Sequence, residues 1–170
     1  MSEEVKPIYA KGFFTMDLNG TVRQYTVFYY TDPKHYYANL TKEGYRRELS
    51  LLRRNMQRFL DEEVIRMNGV RVKAKVIHVN IGLLTVNLPF IEFLITFKGS
   101  LRSGVNTYED EYEEEVTEYP YDIVWWLPGN VTEVSMAGEV NVKDNIITVR
   151  VNEGVKVGGR ETISFIIDNT

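Results

Sequence analysis

The chain has 170 residues, of which 44% are hydrophobic, 26% charged and 12% aromatic. This length is typical of one domain, or of two small ones, and is sufficient for a hydrophobic core. The absence of cysteine excludes a disulfide scaffold, an iron–sulfur cluster, a thiolate zinc site and a cysteine nucleophile. A net charge of −4 argues against a dedicated nucleic-acid binder.

The N-terminal region has the pattern of a β-hairpin. Residues 8–17 and 21–30 are rich in β-forming side chains, and Asn19-Gly20 lies between them. Both residues of an Asn-Gly pair tolerate the positive φ that a tight hairpin turn requires. The sequence therefore predicts two antiparallel strands joined at this turn.

The segment 41–67 changes to the period of a helix. Apolar side chains recur every three or four positions and form one stripe. They are Tyr45, Leu49, Leu52, Met56, Phe59 and Leu60. Thr41 is a suitable N-cap, and Asn68-Gly69 is a suitable C-terminal stop. We predict one long amphipathic helix at 41–67, packed by this stripe on a sheet face.

The rest of the chain has strand patterns separated by turn residues. Alternation predicts a half-buried strand at 70–76. Two apolar runs predict buried strands at 83–88 and 90–97, with a bend or bulge at Pro89. Further strands are expected at 121–127, 131–142, 146–151 and 160–167.

The segment 108–119 fits two patterns. Four of its apolar side chains would share one face of a helix. However, the six acids at 109–115 would repel one another on a helix surface. We favour a strand, with a helix as the alternative.

These elements predict an α+β fold dominated by antiparallel β-sheet, as a sandwich or a curved sheet or barrel, with the 41–67 helix on one sheet face. Alternating βαβ units are absent, which argues against a parallel sheet of the Rossmann type. A single domain at 1–170 is favoured. The alternative is a hairpin–helix–sheet unit at 1–99 followed by an all-β unit at 105–170.

The most unusual stretch is an acidic run. Its members are Glu109, Asp110, Glu111, Glu113, Glu114 and Glu115. The favoured interpretation is a solvated charged edge that blocks pairing with other strands. The alternatives are a hard-cation site, although the spacing differs from that of an EF-hand loop, and a docking surface for a basic partner. The basic segment 42–75 is a candidate for that partner, within one molecule or between two copies.

Three arginines form a basic face on the predicted helix. Arg47, Arg54 and Arg58 lie opposite the apolar stripe, as on an ordinary solvated helix. Arginines one and two turns apart can also follow a phosphate backbone. Nucleic-acid binding is therefore retained as a weaker alternative.

Aromatic side chains offer a candidate surface for a ligand or partner, because tyrosine and tryptophan bury a large area and keep a polar tip. Those singled out are Tyr29, Tyr30, Tyr36, Tyr37, Trp125 and Trp126. Neighbouring residues of a strand point to opposite faces, so one tryptophan is expected in the core and the other partly exposed. The alternative is that these rings simply complete the core.

No pattern in the chain predicts a catalytic residue. His35 and His78 are the only histidines; the first lies in a polar loop, and the second is expected to be a partly buried core residue. The HExxH and GxSxG motifs are absent, so we predict no metal and no cofactor. Glu92, Glu139 or Glu161 could converge in space, but nothing in the sequence singles out a pair.

We therefore interpret the chain as a non-catalytic binding or interaction module, for a protein partner or for self-association. The alternative is a small-ligand or enzymatic cavity between helix and sheet. No apolar run approaches the ~20 residues that span a bilayer, and no signal-peptide pattern follows the first residues. The expected location is the cytoplasm, and the soluble part of an extracytoplasmic protein is the alternative.

Overall fold

The computed structural model describes residues 4–168, which form one α-helix and two β-sheets and confirm the predicted α+β class. The helix, α1, spans Lys42–Glu62. The strands are β1 (Lys6–Met16), β2 (Thr21–Thr31), β3 (Val64–Met67), β4 (Val70–Val72), β5 (Lys75–Thr85), β6 (Leu88–Lys98), β7 (Gly104–Val116), β8 (Tyr121–Trp126), β9 (Asn130–Ser135), β10 (Glu139–Lys143), β11 (Ile146–Val151) and β12 (Lys156–Ile167).

The strands are divided between two sheets. The larger sheet has seven strands in the order β10-β11-β8-β1-β2-β6-β5, and the smaller has five in the order β4-β3-β7-β12-β9. Neighbouring strands are antiparallel except β1 and β8, which run parallel. Antiparallel pairing therefore dominates, as predicted, and the one parallel pair joins the N-terminal hairpin to the C-terminal part of the chain.

The predicted N-terminal hairpin is confirmed. Strands β1 and β2 pair along their whole length, and Gly20 in the turn has a φ of +85°. A Cβ at Gly20 would lie 1.9 Å from the backbone oxygen of Gly99. Only glycine fits here, because the position requires both a positive φ and this close approach.

The helix begins where the sequence predicts, but it ends earlier than predicted. The Thr41 Oγ1 accepts a hydrogen bond from the Gly44 N–H at 3.0 Å and caps the first turn. The helix stops at Glu62 instead of residue 67, because Val64–Met67 forms β3 and pairs with β7. The Asn68-Gly69 pair, with φ of +51° and +81°, is the turn between β3 and β4 rather than a helix stop.

Three predicted strands have different bounds in the structure. The strand predicted at 70–76 is divided between two strands, because β4 belongs to the smaller sheet and β5, which starts at Lys75, belongs to the larger sheet. The strand predicted at 83–88 spans the β5–β6 turn, and the one predicted at 131–142 is divided into β9 and β10. In each case strand-forming residues continue through a change of direction, which side-chain periodicity alone does not reveal.

The ambiguous segment at 108–119 lies mostly in a strand, β7, as favoured from the sequence. It pairs with β3 on one side and with β12 on the other. The number of domains stays a prediction. Both sheets contain strands from both halves of the chain, since β8 lies next to β1 and β3 lies next to β7.

The hydrophobic core lies between the two sheets. On β6, Ile91 and Phe93 are buried, while the residues between and beside them are partly exposed. Across the core, the ring centroids of Tyr108 on β7 and Trp125 on β8 lie 4.7 Å apart and join the two sheets. Each sheet therefore has an inner, core-facing side and an outer side.

Helix α1 lies along β5, the last strand of the larger sheet. The Gln57 side chain donates a hydrogen bond to the Ala74 oxygen at 3.0 Å and accepts one from the Val76 N–H at 2.9 Å. Arg53 donates to the Val76 oxygen at 3.3 Å. These side chains occupy the place of a further strand and protect the edge of the sheet. The predicted apolar stripe is only partly covered in this arrangement, and its Phe59 is 65% exposed.

Candidate functional site

The outer side of the larger sheet carries exposed apolar side chains. We call the following five residues the aromatic patch: Phe13, Tyr25, Leu94, Trp126 and Ile146. Cross-strand register places Phe13 opposite Tyr25 and Tyr25 opposite Leu94, and it places Trp126 opposite Ile146. The patch therefore crosses five neighbouring strands. Its exposure means that no part of residues 4–168 covers it.

One side of the aromatic patch is held by a carboxylate. The Tyr25 hydroxyl donates a hydrogen bond to Glu92, and the Asn80 amide donates to the same carboxylate at 2.7 Å. These two hydrogen bonds hold the pKa of Glu92 below its usual value. Burial and the bond to Glu92 raise the pKa of Tyr25 to about 12. The tyrosine ring is thus fixed in place before any partner binds.

A second carboxylate supports the opposite side of the face. Tyr9 donates a hydrogen bond to Asp122 at 2.5 Å, and Arg150 donates to the same oxygen at 2.8 Å. The Arg150 guanidinium also lies 6.0 Å from the centre of the Tyr9 ring. Burial opposes ionisation of Asp122, but the hydrogen bonds from Tyr9 and Arg150 outweigh it and lower the pKa of the carboxyl.

The charges around the patch balance one another. Besides the Arg150–Asp122 ion pair, Arg23 and Asp17 form a second ion pair at 2.5 Å. Within each of these two ion pairs the charges cancel, while the aromatic patch stays uncovered. A surface that binds a phosphate backbone has an excess of cations instead.

A second unusual feature is a group of half-buried carboxyls on the inner side of the smaller sheet. Asp110 on β7 lies directly opposite Glu161 on β12. Glu63 stands just before β3, whose Ile65 pairs with Asp110, so all three carboxyls share the inner side of the sheet. We call Glu63, Asp110 and Glu161 the acid cluster.

The acid cluster has few partners for its charge. The Tyr112 hydroxyl donates a hydrogen bond to Glu161 at 2.8 Å, whereas the buried Oδ1 of Asp110 accepts no hydrogen bond from the described residues. Burial and the two neighbouring carboxyls raise the pKa of Asp110 to about 8. Burial and Glu161 raise the pKa of Glu63 to about 7, and burial raises that of Glu161 despite the bond from Tyr112.

The acid cluster lies apart from the surface grooves of the described residues. The grooves described on the surface of residues 4–168 are lined by other side chains. Within the same residues, no group of three or more acidic or histidine side chains is arranged to hold a metal ion. Three half-buried carboxyls that face one another make the stability of the fold depend on pH.

The predicted aromatic surface is divided by the structure. Trp125 is in the core and Trp126 is 53% exposed, in agreement with the predicted opposite orientations. Tyr30 and Tyr37 are also buried, so these two and Trp125 are not surface residues. Tyr37 donates to Glu48 on α1 at 2.9 Å and thereby ties the turn after β2 to the helix.

The two remaining predicted tyrosines are half-buried and have different surroundings. Tyr29 lies on the outer side of the larger sheet and helps to line a groove of about 380 Å³ with Ile8, Tyr9 and Leu84. This groove continues the exposed apolar surface toward the β5–β6 turn. Tyr36 is 3.4 Å from Glu48 through its hydroxyl and belongs to the turn that Tyr37 anchors.

The predicted acidic surface alternates between the two sides of β7, as expected of a strand. Glu109 and Glu111 face outward and both lie within reach of Arg66, at 2.8 and 3.5 Å. Arg160 also pairs with Glu109. Asp110 points inward and is therefore not part of an acidic surface. The basic segment does complement the acidic run within one molecule, through Arg66.

The distal part of the acidic run is solvent-exposed. Glu113, Glu114 and Glu115 are exposed, and Glu114 forms an ion pair with Lys156 at 2.7 Å. The interpretation of a charged edge that blocks strand pairing is wrong at 109–111, because β7 pairs there with β3 on one side and with β12 on the other. The docking alternative for residues 113–115 stays a prediction.

The basic helix face and the histidines form no common site. Arg47, Arg54 and Arg58 are exposed on α1, and Arg47 lies 4.0 Å from Glu43. His35 lies in the turn after β2 with a φ of +56°. His78 is exposed rather than partly buried, because a register shift between Val76 and His78 moves it to the outer side.

The three glutamates mentioned from the sequence do not converge. Glu92 is on the outer side of β6 and Glu161 on the inner side of β12. Glu139 is exposed on β10. The structure instead groups Glu161 with Asp110 and Glu63, two residues that the sequence assigned to a surface run and to the helix.

Four residues of the aromatic patch were not singled out from the sequence. Phe13, Tyr25, Leu94 and Ile146 lie in segments that are apolar on both faces, so alternation does not reveal which face is covered. The uncovered face becomes apparent only when both sheets and the helix are in place.

Comparison with known proteins identifies the fold. No family model matches the chain, and no curated protein matches it in sequence. The folded domain of LppM from Mycobacterium tuberculosis is similar with a TM-score of 0.51 and 7% identity, over 99% of this chain and 95% of that one. An M1 zinc metallopeptidase from Deinococcus radiodurans gives a TM-score of 0.37 and 8% identity, over 95% of this chain and 42% of that one. The chain therefore has an LppM-like fold.

No helix within residues 4–168 is long and apolar enough to cross a bilayer. The cytoplasmic location expected from the sequence stays a prediction.

Proposed function

We propose that this chain is a non-catalytic interaction domain that binds a protein partner on the aromatic patch. The observation that carries the proposal is the exposure of Phe13, Tyr25, Leu94, Trp126 and Ile146 on one open sheet face. Contiguous exposed apolar surface of this kind marks interaction sites in proteins. Tryptophan and tyrosine are also the residues that contribute most to the energy of protein interfaces.

The rigidity of the face supports the same function. Tyr25 is held by Glu92, and Tyr9 is held by Asp122 together with Arg150. A partner then loses little side-chain entropy on docking, because these rings are already ordered. The paired charges around the patch resemble the polar rim that surrounds the apolar centre of a protein interface.

The alternative of a ligand cavity between helix and sheet has less support. The groove described beside α1 is lined by Asn55, Arg58, Phe59 and Glu62, all on the helix itself. On the side of α1 that faces β5, hydrogen bonds from Arg53 and Gln57 fill the contact. A binding surface on the open sheet face fits the geometry better.

Replacement of Trp126 tests the proposal. We expect Trp126→Asp to weaken binding of the partner by roughly 30-fold, because it places a charge within an apolar contact. The tagged wild-type domain is incubated with a lysate of its own organism, and the retained proteins are compared with those retained by the variant. The dissociation constant of any protein that differs is then measured by titration.

The matched control is Val105→Asp. The Val105 side chain is 50% exposed, a fraction similar to the 53% of Trp126, but it lies on β7 of the other sheet. The proposal requires that a partner bound by the wild type is kept by Val105→Asp and lost by Trp126→Asp. Equal retention by both variants would place the binding site elsewhere on the molecule and refute the proposal.

A further inference from the structure

The larger sheet ends in a strand with an unusual charge pattern. Among residues 4–168, strand β10 pairs only with β11, and it is the end of the sheet opposite to the edge that α1 protects. Its sequence is Glu139-Val140-Asn141-Val142-Lys143, with one acid and one base at equal distances from the central asparagine. Neither Glu139 nor Lys143 forms an ion pair within the described residues.

The two sides of β10 differ in polarity. Val140 lies opposite Val149 and Val142 opposite Ile147, so both valines are on the inner, core-facing side of the sheet. Val142 is nevertheless 46% exposed. An apolar side chain on the inner side is left uncovered because the sheet ends at this strand.

These features make β10 complementary to itself. In an antiparallel pair centred on Asn141, Glu139 faces Lys143 of a second copy, and Val140 faces Val142 of that copy. Each of the two symmetric ion pairs is favourable, since opposite charges on facing strand positions attract. The same contact covers Val142 and pairs the backbone groups of the free edge.

We propose that two copies of this chain form a symmetric dimer by antiparallel pairing of β10 with β10 of the second copy. The two seven-stranded sheets then form one continuous sheet. Antiparallel pairing keeps the outer sides of both sheets on the same side, so the two aromatic patches face a partner together. The dimer rests on β10 alone and does not depend on the proposed protein partner.

The contact is small, so the dimer is expected to be weak. Five residues of strand span about 17 Å, and one strand pair buries much less than the roughly 1,200 Å² of stable complexes. We expect the dimer to form reversibly at roughly 100 µM and above. A method that traps transient contacts is therefore required.

Cysteine cross-linking provides this method, because the chain contains no cysteine of its own. In the proposed register, Asn141 faces Asn141 of the second copy, and paired Cα atoms about 4.5–5.5 Å apart are within the range of a disulfide. Asn141→Cys is expected to form a covalent dimer at least roughly tenfold faster than Thr148→Cys. Thr148 is a matched control, since it is exposed, lies opposite Asn141 on β11 and is one strand farther from the symmetry axis.

Charge exchange tests the register independently. Adding Lys143→Glu to Asn141→Cys sets glutamate against glutamate and should slow cross-linking roughly tenfold. Adding both Glu139→Lys and Lys143→Glu restores opposite charges and should restore the rate. Sedimentation velocity of the cysteine-free charge variants at increasing concentration should follow the same order.

The outcomes are distinct. Equal cross-linking by Asn141→Cys and Thr148→Cys, or a rate that is indifferent to the charge exchanges, overturns the dimer. Failure of this dimer leaves the Trp126→Asp experiment unaffected, because Trp126 is on β8 and not on the edge strand.

Discussion

Asp110→Asn is expected to raise the free energy of unfolding by about 3 kcal/mol more at pH 8 than at pH 5, because the cost of ionising Asp110 in the folded state grows across this interval. The amide keeps the shape of the side chain and removes one of the three charges of the acid cluster. Its NH₂ group can also donate to the neighbouring carboxylates of Glu63 and Glu161, which Asp110 itself cannot do when ionised.

The same cluster predicts an unusual pH dependence for the wild-type protein. The pKa of Asp110 is raised from 3.8 to about 8, and that of Glu63 from 4.5 to about 7. Between about pH 4 and pH 8 the folded state therefore holds more protons than the unfolded state. Stability is lost as the pH rises through this interval, because the unfolded chain releases these protons more readily.

Other carboxyls make the fold less stable at low pH. The pKa values of Glu92, Glu109 and Asp122 are lowered by hydrogen bonds from neighbouring side chains. Groups of this kind stabilise the fold above their unfolded pKa, and the stabilisation is lost as the pH falls through their folded pKa. Together the two effects predict maximal stability near pH 5 rather than near neutrality.

Urea unfolding of the wild type and variants from pH 4 to pH 9 measures these effects. The control is Glu113→Gln, an exposed acid of the same strand, which should change stability by less than about 0.5 kcal/mol at either pH. A wild-type protein that is equally stable at pH 8 and pH 5 would contradict the assignment of the acid cluster. So would an Asp110→Asn variant with an unaltered pH profile.

The sequence predicts those secondary-structure elements well that depend on residues close together in the chain. The Asn19-Gly20 hairpin, the Thr41 N-cap and the strand at the acidic run depend on neighbouring residues, and all three are found in the structure. The helix end was wrong because Val64–Met67 continues the apolar spacing. Its β structure is set by pairing with β7, a contact far away in the chain.

Neither functional surface could be predicted, for related reasons. The acid cluster requires the register that sets Asp110 against Glu161, which are 51 positions apart in the sequence. The aromatic patch requires knowledge of which face of the larger sheet has no covering layer. Trp126 was found from the sequence because tryptophan is noteworthy in itself, whereas Phe13 and Leu94 resemble ordinary core residues.

Asn106→Ala is expected to lower the free energy of unfolding by about 3 kcal/mol, the second large effect in this molecule. The Asn106 side chain is fully buried, and its oxygen accepts from the Arg102 N–H and from the Asn68 amide, both at 2.9 Å. Its NH₂ group donates to the oxygens of Arg102 and Gly104, at 2.7 and 3.2 Å. Alanine would leave these buried groups without partners.

The loss should be local as well as global, because Asn106 joins the loop after β6 to the β3–β4 turn. Asn68 depends on it indirectly, since its own oxygen accepts from the Thr107 N–H at 2.9 Å. Urea unfolding measures the total effect, and hydrogen exchange should show faster exchange at residues 100–107 in Asn106→Ala than in the wild type. Asn130→Ala, at an exposed position, should change stability by less than about 0.5 kcal/mol. A loss below about 1 kcal/mol for Asn106→Ala would mean that the loop holds its shape without this side chain, and that the core packing of Tyr108 and Trp125 suffices to fix β7.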